Sequence, residues 1–183
     1  MTAGPPPYWL VLIDLQRVFA DSDSPWVTPD FASVAAACRR LGRAYAGRTV
    51  LTRFLPHQRP TAAWMDYYAQ WPFARDPANA GRFDLVEPWT DTDAPVVSAA
   101  RFGKWGPELA AVVGDATLVV AGVSTDCCVL STVLAAVDDG RRLRVVADAC
   151  AGLDDASHRR ALDAMALYAP HVTLTTTEAE LAG

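Results

Sequence analysis

The chain has 183 residues, 51% of them apolar and 20% charged, which fits one globular domain (1–183) with a continuous core and excludes a disordered chain. A formal net charge of −5 argues against a nucleic-acid partner, since general phosphate binders need clustered Lys and Arg to displace counterions. The four cysteines lack CxxC or disulfide-framework spacing, Met1 to Pro7 lacks the charge and apolar run of a secretion signal, and no apolar stretch approaches the roughly 18 residues of a membrane span, so the expected setting is cytoplasmic with no membrane partner.

Tyr8 to Ile13 is a continuous apolar run with β-branched residues that ends at Asp14, as a strand covered on both faces should read. Thr28-Pro29 opens an amphipathic helix whose apolar positions Phe31, Val34, Ala35, Cys38, Leu41 and Tyr45 recur at helical spacing. Thr49 to Phe54 and Pro95 to Ala99 read as the second and third strands. Between them, Leu55 to Asp93 is rich in aromatics and prolines, with a short helix expected over Thr61 to Trp71 and a role as satellite core, subunit interface or pocket wall. Pro107 opens a helix, Ala116 to Val123 forms a fourth strand, and Asp126 to Asp138 a helix stopped by Gly140. Leu143 to Ala147, Ser157 to Tyr168 and Val172 to Thr176 complete the pattern as strand, helix and strand. This alternation predicts a three-layer α/β/α domain around a six-stranded, mainly parallel sheet of Rossmann-like topology, whose ligands sit beyond the carboxyl ends of the strands.

Polar residues that close apolar strands are therefore the candidates for chemistry. A carboxylate directly after a buried strand, as at Asp14, must be paired or hydrogen-bonded, although Asp also orders ordinary turns. Lys104 sits in a glycine-containing turn ahead of Pro107 and on its own reads as a surface lysine. Cys127 and Cys128 follow a buried strand at a helix start, where amides favour a thiolate and a developing oxyanion; simple packing of both thiols is the competing reading. On a regular helix from Asp126, Cys128 points away from the stripe of Val129, Leu130, Val133, Leu134 and Val137, beside the small or polar Ser131, Thr132 and Ala135. Cys127 lies on the margin of that stripe, so Cys128 is expected to be the functional thiol and Cys127 the packed one.

Taken in order, these sites resemble the isochorismatase-like cysteine hydrolases, and the resemblance runs over nearly the whole chain. Asp14 with Gln16 matches the opening Asp-x-Gln strand end, Lys104 the lysine after the third strand, and Gly122-Val123-Ser124-Thr125-Asp126-Cys127-Cys128-Val129 the Gly-Val-x-Thr-Asp-x-Cys-Val motif. Asp148-Ala149-Cys150-Ala151 and His158 match further on. The resemblance implies an Asp14, Lys104 and Cys128 triad that opens a carbon–nitrogen bond through a thioester, in a dimer or tetramer. It also implies an oxyanion hole from the amides of Ser124 and Cys128, with a cis peptide between Val123 and Ser124. The expected pocket draws on Gln16, Phe19, Phe54, Trp64, Tyr68 and Trp105.

The departures narrow the activity. Nicotinamidases of this superfamily carry Asp-x-His metal ligands after the second strand, where this chain has Phe54 and Pro56; a lone His57 makes no such site, so no metal or other cofactor is expected. The leading expectation is a metal-independent hydrolase of a small amide or ureide. A vinyl-ether hydrolase of isochorismatase type and a noncatalytic metabolite-binding homologue are the alternatives.

Overall fold

A computed structural model describes residues 8–182; Met1 to Pro7, read above for a secretion signal, lie outside the described residues. Six strands, β1 (Tyr8–Ile13), β2 (Thr49–Phe54), β3 (Val96–Ala99), β4 (Thr117–Val123), β5 (Leu143–Ala151) and β6 (Val172–Thr175), form one sheet in the order β3-β2-β1-β4-β5-β6. Every neighbouring pair is parallel. The helices are α1 (Arg17–Ala20), α2 (Phe31–Ala44), α3 (Ala63–Gln70), α4 (Pro107–Val113), α5 (Leu130–Asp138), α6 (Asp155–Ala166) and α7 (Thr177–Ala182). Among the described residues no helix is long and apolar enough to cross a membrane.

The period of two in the strands divides the core into two layers. Leu10 and Leu12 of β1, with Val119, Ala121 and Val123 of β4, face α2 and the aromatic segment. Val11 and Ile13, with Leu118 and Val120, face α4, α5 and α6 through Leu109, Val133 and Met165. Both faces of the central strands are buried, which is why these strands read as unbroken apolar runs rather than as an alternation.

Sequence and structure differ chiefly at element ends. β5 runs four residues beyond the expected Ala147, and its register against β4 shifts between Val120 and Gly122 so that Gly122 faces Cys150. α2 starts at Phe31 with no side-chain cap from Thr28, because Asp30 in a left-handed conformation turns the chain into the helix. The unforeseen α7 depends on distant partners: Asp148 of β5 accepts bonds from Thr177 N at 2.7 Å and Oγ1 at 3.0 Å. Its buried Glu180 accepts from Tyr45 Oη at 2.9 Å and Arg144 Nε at 2.7 Å.

At the carboxyl edge, Gly122 is required where β4 meets β1. It has a φ of 121°, and a Cβ there would collide with the backbone of Ile13. That close approach sets the end of β1, carrying Asp14, against the turn that carries the cysteines.

Candidate active site

Asp14 follows β1 at the sheet edge with a φ of 51°, a strained conformation for a residue with a side chain, and it is fully buried. Thr52 of β2 holds it from both ends, accepting from Asp14 N at 3.2 Å and donating to Oδ1 at 2.7 Å. Oδ2 lies 2.8 Å from Lys104 Nζ. That approach makes an ion pair without the alignment of a hydrogen bond, so Oδ2 keeps capacity to accept a proton.

Lys104 is the surface lysine that is not on the surface: it is 1% exposed. Its ammonium donates to Arg101 O at 3.0 Å and to Phe102 O at 2.8 Å, and the Asp14 Oδ2 ion pair is its third neighbour. Burial works against the charge, but the Asp14 carboxylate and the nearby sulfurs outweigh it and hold the Lys104 pKa above its ordinary value. Lys104 N also donates to Thr132 Oγ1 at 2.9 Å, and that hydroxyl donates to Cys128 O at 2.6 Å. Thr132 thus ties the lysine loop to the cysteine turn.

The cysteines do not begin a regular helix. Thr125 to Val129 forms a π-turn, closed by Val129 N donating to Ser124 O at 3.0 Å, before α5 starts. The wider turn rotates both cysteines relative to Val133 and Val137, and the burial expected from a regular helix is overturned. Cys128 is 4% exposed within the apolar layer, whereas Cys127 is half-buried. Thr132, expected beside open space, is buried and bonded. The Val123–Ser124 peptide is cis, and Ser124 Oγ donates to Asp126 Oδ1 at 2.6 Å, which also accepts from Leu153 N at 3.0 Å. Thr125 Oγ1 lies 2.9 Å from His158 Nδ1.

The hydrogen bond with Cys127, burial and the Asp14 charge push the Cys128 thiol well above the usual thiol range, against the pull of Lys104. The same contact shifts Cys127 in the opposite direction. The Asp14 carboxylate stands close enough to act on the charge of the Cys128 thiol and to receive its proton.

Both cysteines open into a cavity of about 290 Å³ together with Ser124, Asp126, Leu153, Phe19, Trp26, Phe54, Tyr67, Trp71 and Phe102. Larger hollows elsewhere touch neither cysteine. Of the expected wall residues, Phe19 and Phe54 line the cavity and four do not. Gln16 is a buried strut, donating to Phe54 O at 2.9 Å and Phe83 O at 2.6 Å and accepting from Phe54 N at 2.8 Å. Trp64 packs behind Phe54, with ring centroids 6.3 Å apart, and Tyr68 Oη accepts from His57 N at 3.0 Å. Trp105 lies in the opposite layer, donating to Asp139 at 3.2 Å beneath the Arg141 guanidinium. The wall is built instead around Trp26, whose ring meets those of Phe19, Phe54, Tyr67 and Trp71 at centroid distances of 5.8 to 6.4 Å. Burial and the nearby cysteine sulfurs push the Tyr67 phenol up, so it stays neutral near pH 7.

Among the described residues no three His, Cys, Asp or Glu side chains gather as a metal cluster. The family model described as the Isochorismatase domain matches residues 8–179. The chain belongs to the isochorismatase family. Solved structures with the same fold include a cysteine hydrolase from Pseudomonas syringae pv. phaseolicola 1448A, 18% identical, with a TM-score of 0.82 over 100% of this chain and 97% of that one. An isochorismatase-like hydrolase from Alkaliphilus metalliredigens is 15% identical, with a TM-score of 0.76 over 96% and 98%. A nicotinamidase from Bacillus subtilis is 17% identical, with a TM-score of 0.71 over 92% and 98%. No curated protein sequence matches the chain. Family membership makes this protein an isochorismatase-like hydrolase.

Proposed function

We propose that this isochorismatase-family hydrolase is a cysteine amidohydrolase, opening a carbon–nitrogen bond of a small amide or ureide with Asp14, Lys104 and Cys128 and without a metal. The observation that carries the reading is the buried Asp14–Lys104 pair at 2.8 Å, whose two charges both act on the Cys128 thiol at a cavity wall.

Asp14 Oδ2 takes the thiol proton as Sγ attacks the substrate carbonyl carbon, forming a C–S bond and a tetrahedral oxyanion. The backbone amides of Ser124 and Cys128 stabilise that oxyanion. Collapse breaks the C–N bond, and Asp14 returns the proton to the departing nitrogen. Water then attacks the thioester and passes a proton to Asp14, and the second collapse releases the acid and restores the thiol. Lys104 keeps its charge throughout, holding Asp14 in place and stabilising negative charge at the sulfur.

The test is a panel of small amides and ureides read by ammonia release. Turnover by the wild type, loss in Cys128→Ala and undiminished rate after exhaustive chelation are expected. A fully active Cys128→Ala variant, or activity lost to the chelator and restored by one transition metal, contradicts the proposal.

A further inference from the structure

Resting on the cysteine-amidohydrolase reading, the composition of the cavity bears on which acyl group it takes. Six rings, Phe19, Trp26, Phe54, Tyr67, Trp71 and Phe102, supply most of its wall. Asp126 is the one charged side chain among the lining residues, and its Oδ1 already accepts from Ser124 Oγ and Leu153 N. The nearest chemistry-bearing cation, Lys104, is committed to Asp14, Arg101 O and Phe102 O. An anionic substrate group would therefore meet apolar rings, the neutral hydroxyls of Thr28, Tyr67 and Ser124 and the Asp126 carboxylate, with no cationic side chain among the described lining residues to pair with it. A volume of about 290 Å³ stands at the small end for ligand sites and suits one ring with a short substituent.

We propose that the substrate is a neutral primary amide whose acyl group is a single aromatic or similarly compact apolar unit, seated against the Trp26 and Trp71 rings, and that amides carrying a carboxylate are rejected. Edge-to-face contacts of Trp26 with Phe54 at 5.8 Å and with Trp71 at 6.1 Å brace this wall before any ligand arrives. The same lack of a cation stands against an isochorismatase-type substrate with ionised acid groups.

The experiment compares two probes of matched size and shape, neutral 4-nitrobenzamide and anionic 4-carbamoylbenzoate, for ammonia release and for protection of Cys128 against acylation by 4-nitrophenyl acetate, read by fragment mapping in a mass spectrometer. The neutral probe is expected to be hydrolysed with a kcat/KM about 10²-fold or more above the anion, because a buried unpaired carboxylate is so poorly tolerated. It should also be the better protector. Leu153→Arg at the cavity rim, where Leu153 is 66% exposed, should narrow that gap. If 4-nitrophenyl acetate acylates Cys128 but the anion is hydrolysed or protects as well as the neutral probe, or if neither probe does either, the substrate class is wrong while the nucleophile stands. If Cys128 is never acylated and no amide is turned over, the amidohydrolase reading itself fails.

Discussion

Two regions meet at the carboxyl edge of the sheet and are built on opposite principles. The polar corner of Asp14, Lys104 and Cys128 is held by directional contacts of 2.6 to 3.2 Å, with Thr52 and Thr132 each joining two elements. The aromatic wall opposite has almost no such contacts; its rings are held by one another at centroid distances of 5 to 6.5 Å. A corner of that kind tolerates little displacement, because buried charges lose their compensation when a partner moves. A wall of ring contacts can change shape residue by residue, so the reaction is expected to reside in the corner and selectivity in the wall.

Breaking the corner should have the largest effect. Lys104→Ala leaves the Asp14 carboxylate buried without its cation, so a loss of about 3 to 5 kcal/mol of stability is expected, visible in denaturant unfolding. Asp14→Asn keeps the shape and removes the proton acceptor, leaving Lys104 with only the Arg101 and Phe102 carbonyls and so costing stability as well; turnover per folded molecule should fall by about 10² to 10⁴. Near-native rates from folded Asp14→Asn would show that the corner does not carry the reaction.

The wall should respond differently. Trp71→Ala removes one ring from the cavity and a partner of Trp26 without touching the buried triad, so KM for an apolar amide should rise about tenfold with kcat nearly unchanged. An equal fall in kcat would mean that the two regions do not divide the work as described.

A smaller, chemical difference separates the two thiols of the corner. Burial helps to raise the Cys128 thiol, so its thiolate fraction is small at neutral pH and grows as the medium becomes alkaline, whereas Cys127 is the more accessible of the two. Brief iodoacetamide treatment of the resting protein near pH 7 should therefore mark Cys127 first, with Cys128 catching up as pH rises. Faster labelling of Cys128 at pH 7 would indicate a resting thiolate.

How much of this was legible in the sequence follows from the same division. The strands and the place of Asp14 could be read because apolar runs ending in polar residues are local patterns, whereas the choice of Cys128 over Cys127 rests on the family resemblance once the π-turn removes the regular-helix argument. Lys104 could be singled out only through the family resemblance, since its turn alone reads as solvent-exposed. Thr52 left a faint signal, a hydroxyl inside the otherwise apolar Val50-Leu51-Thr52 run, and Thr132 a similar one within its helix. The exchange of burial between Cys127 and Cys128 was hidden because helical-wheel geometry assumes 3.6 residues per turn, and the π-turn violates that assumption where it matters. Trp26, Tyr67, Trp71 and Phe102 converge from three separate stretches of chain, so which aromatics of the long connection face the cavity depends on tertiary packing. Trp64 and Tyr68 share the helix with Tyr67 and differ from it only in direction.

The central claim is that acyl transfer passes through Cys128 with Asp14 receiving its proton. Rapid mixing of the wild type, Asp14→Asn and Cys128→Ala with a hydrolysed amide, followed by acid quench and fragment mapping, reads that claim directly. The account predicts an acyl thioester on Cys128 in the wild type, its much slower appearance in Asp14→Asn and none in Cys128→Ala. An acyl group on Cys127 with Cys128 unmodified, or turnover that persists in Cys128→Ala, would contradict it.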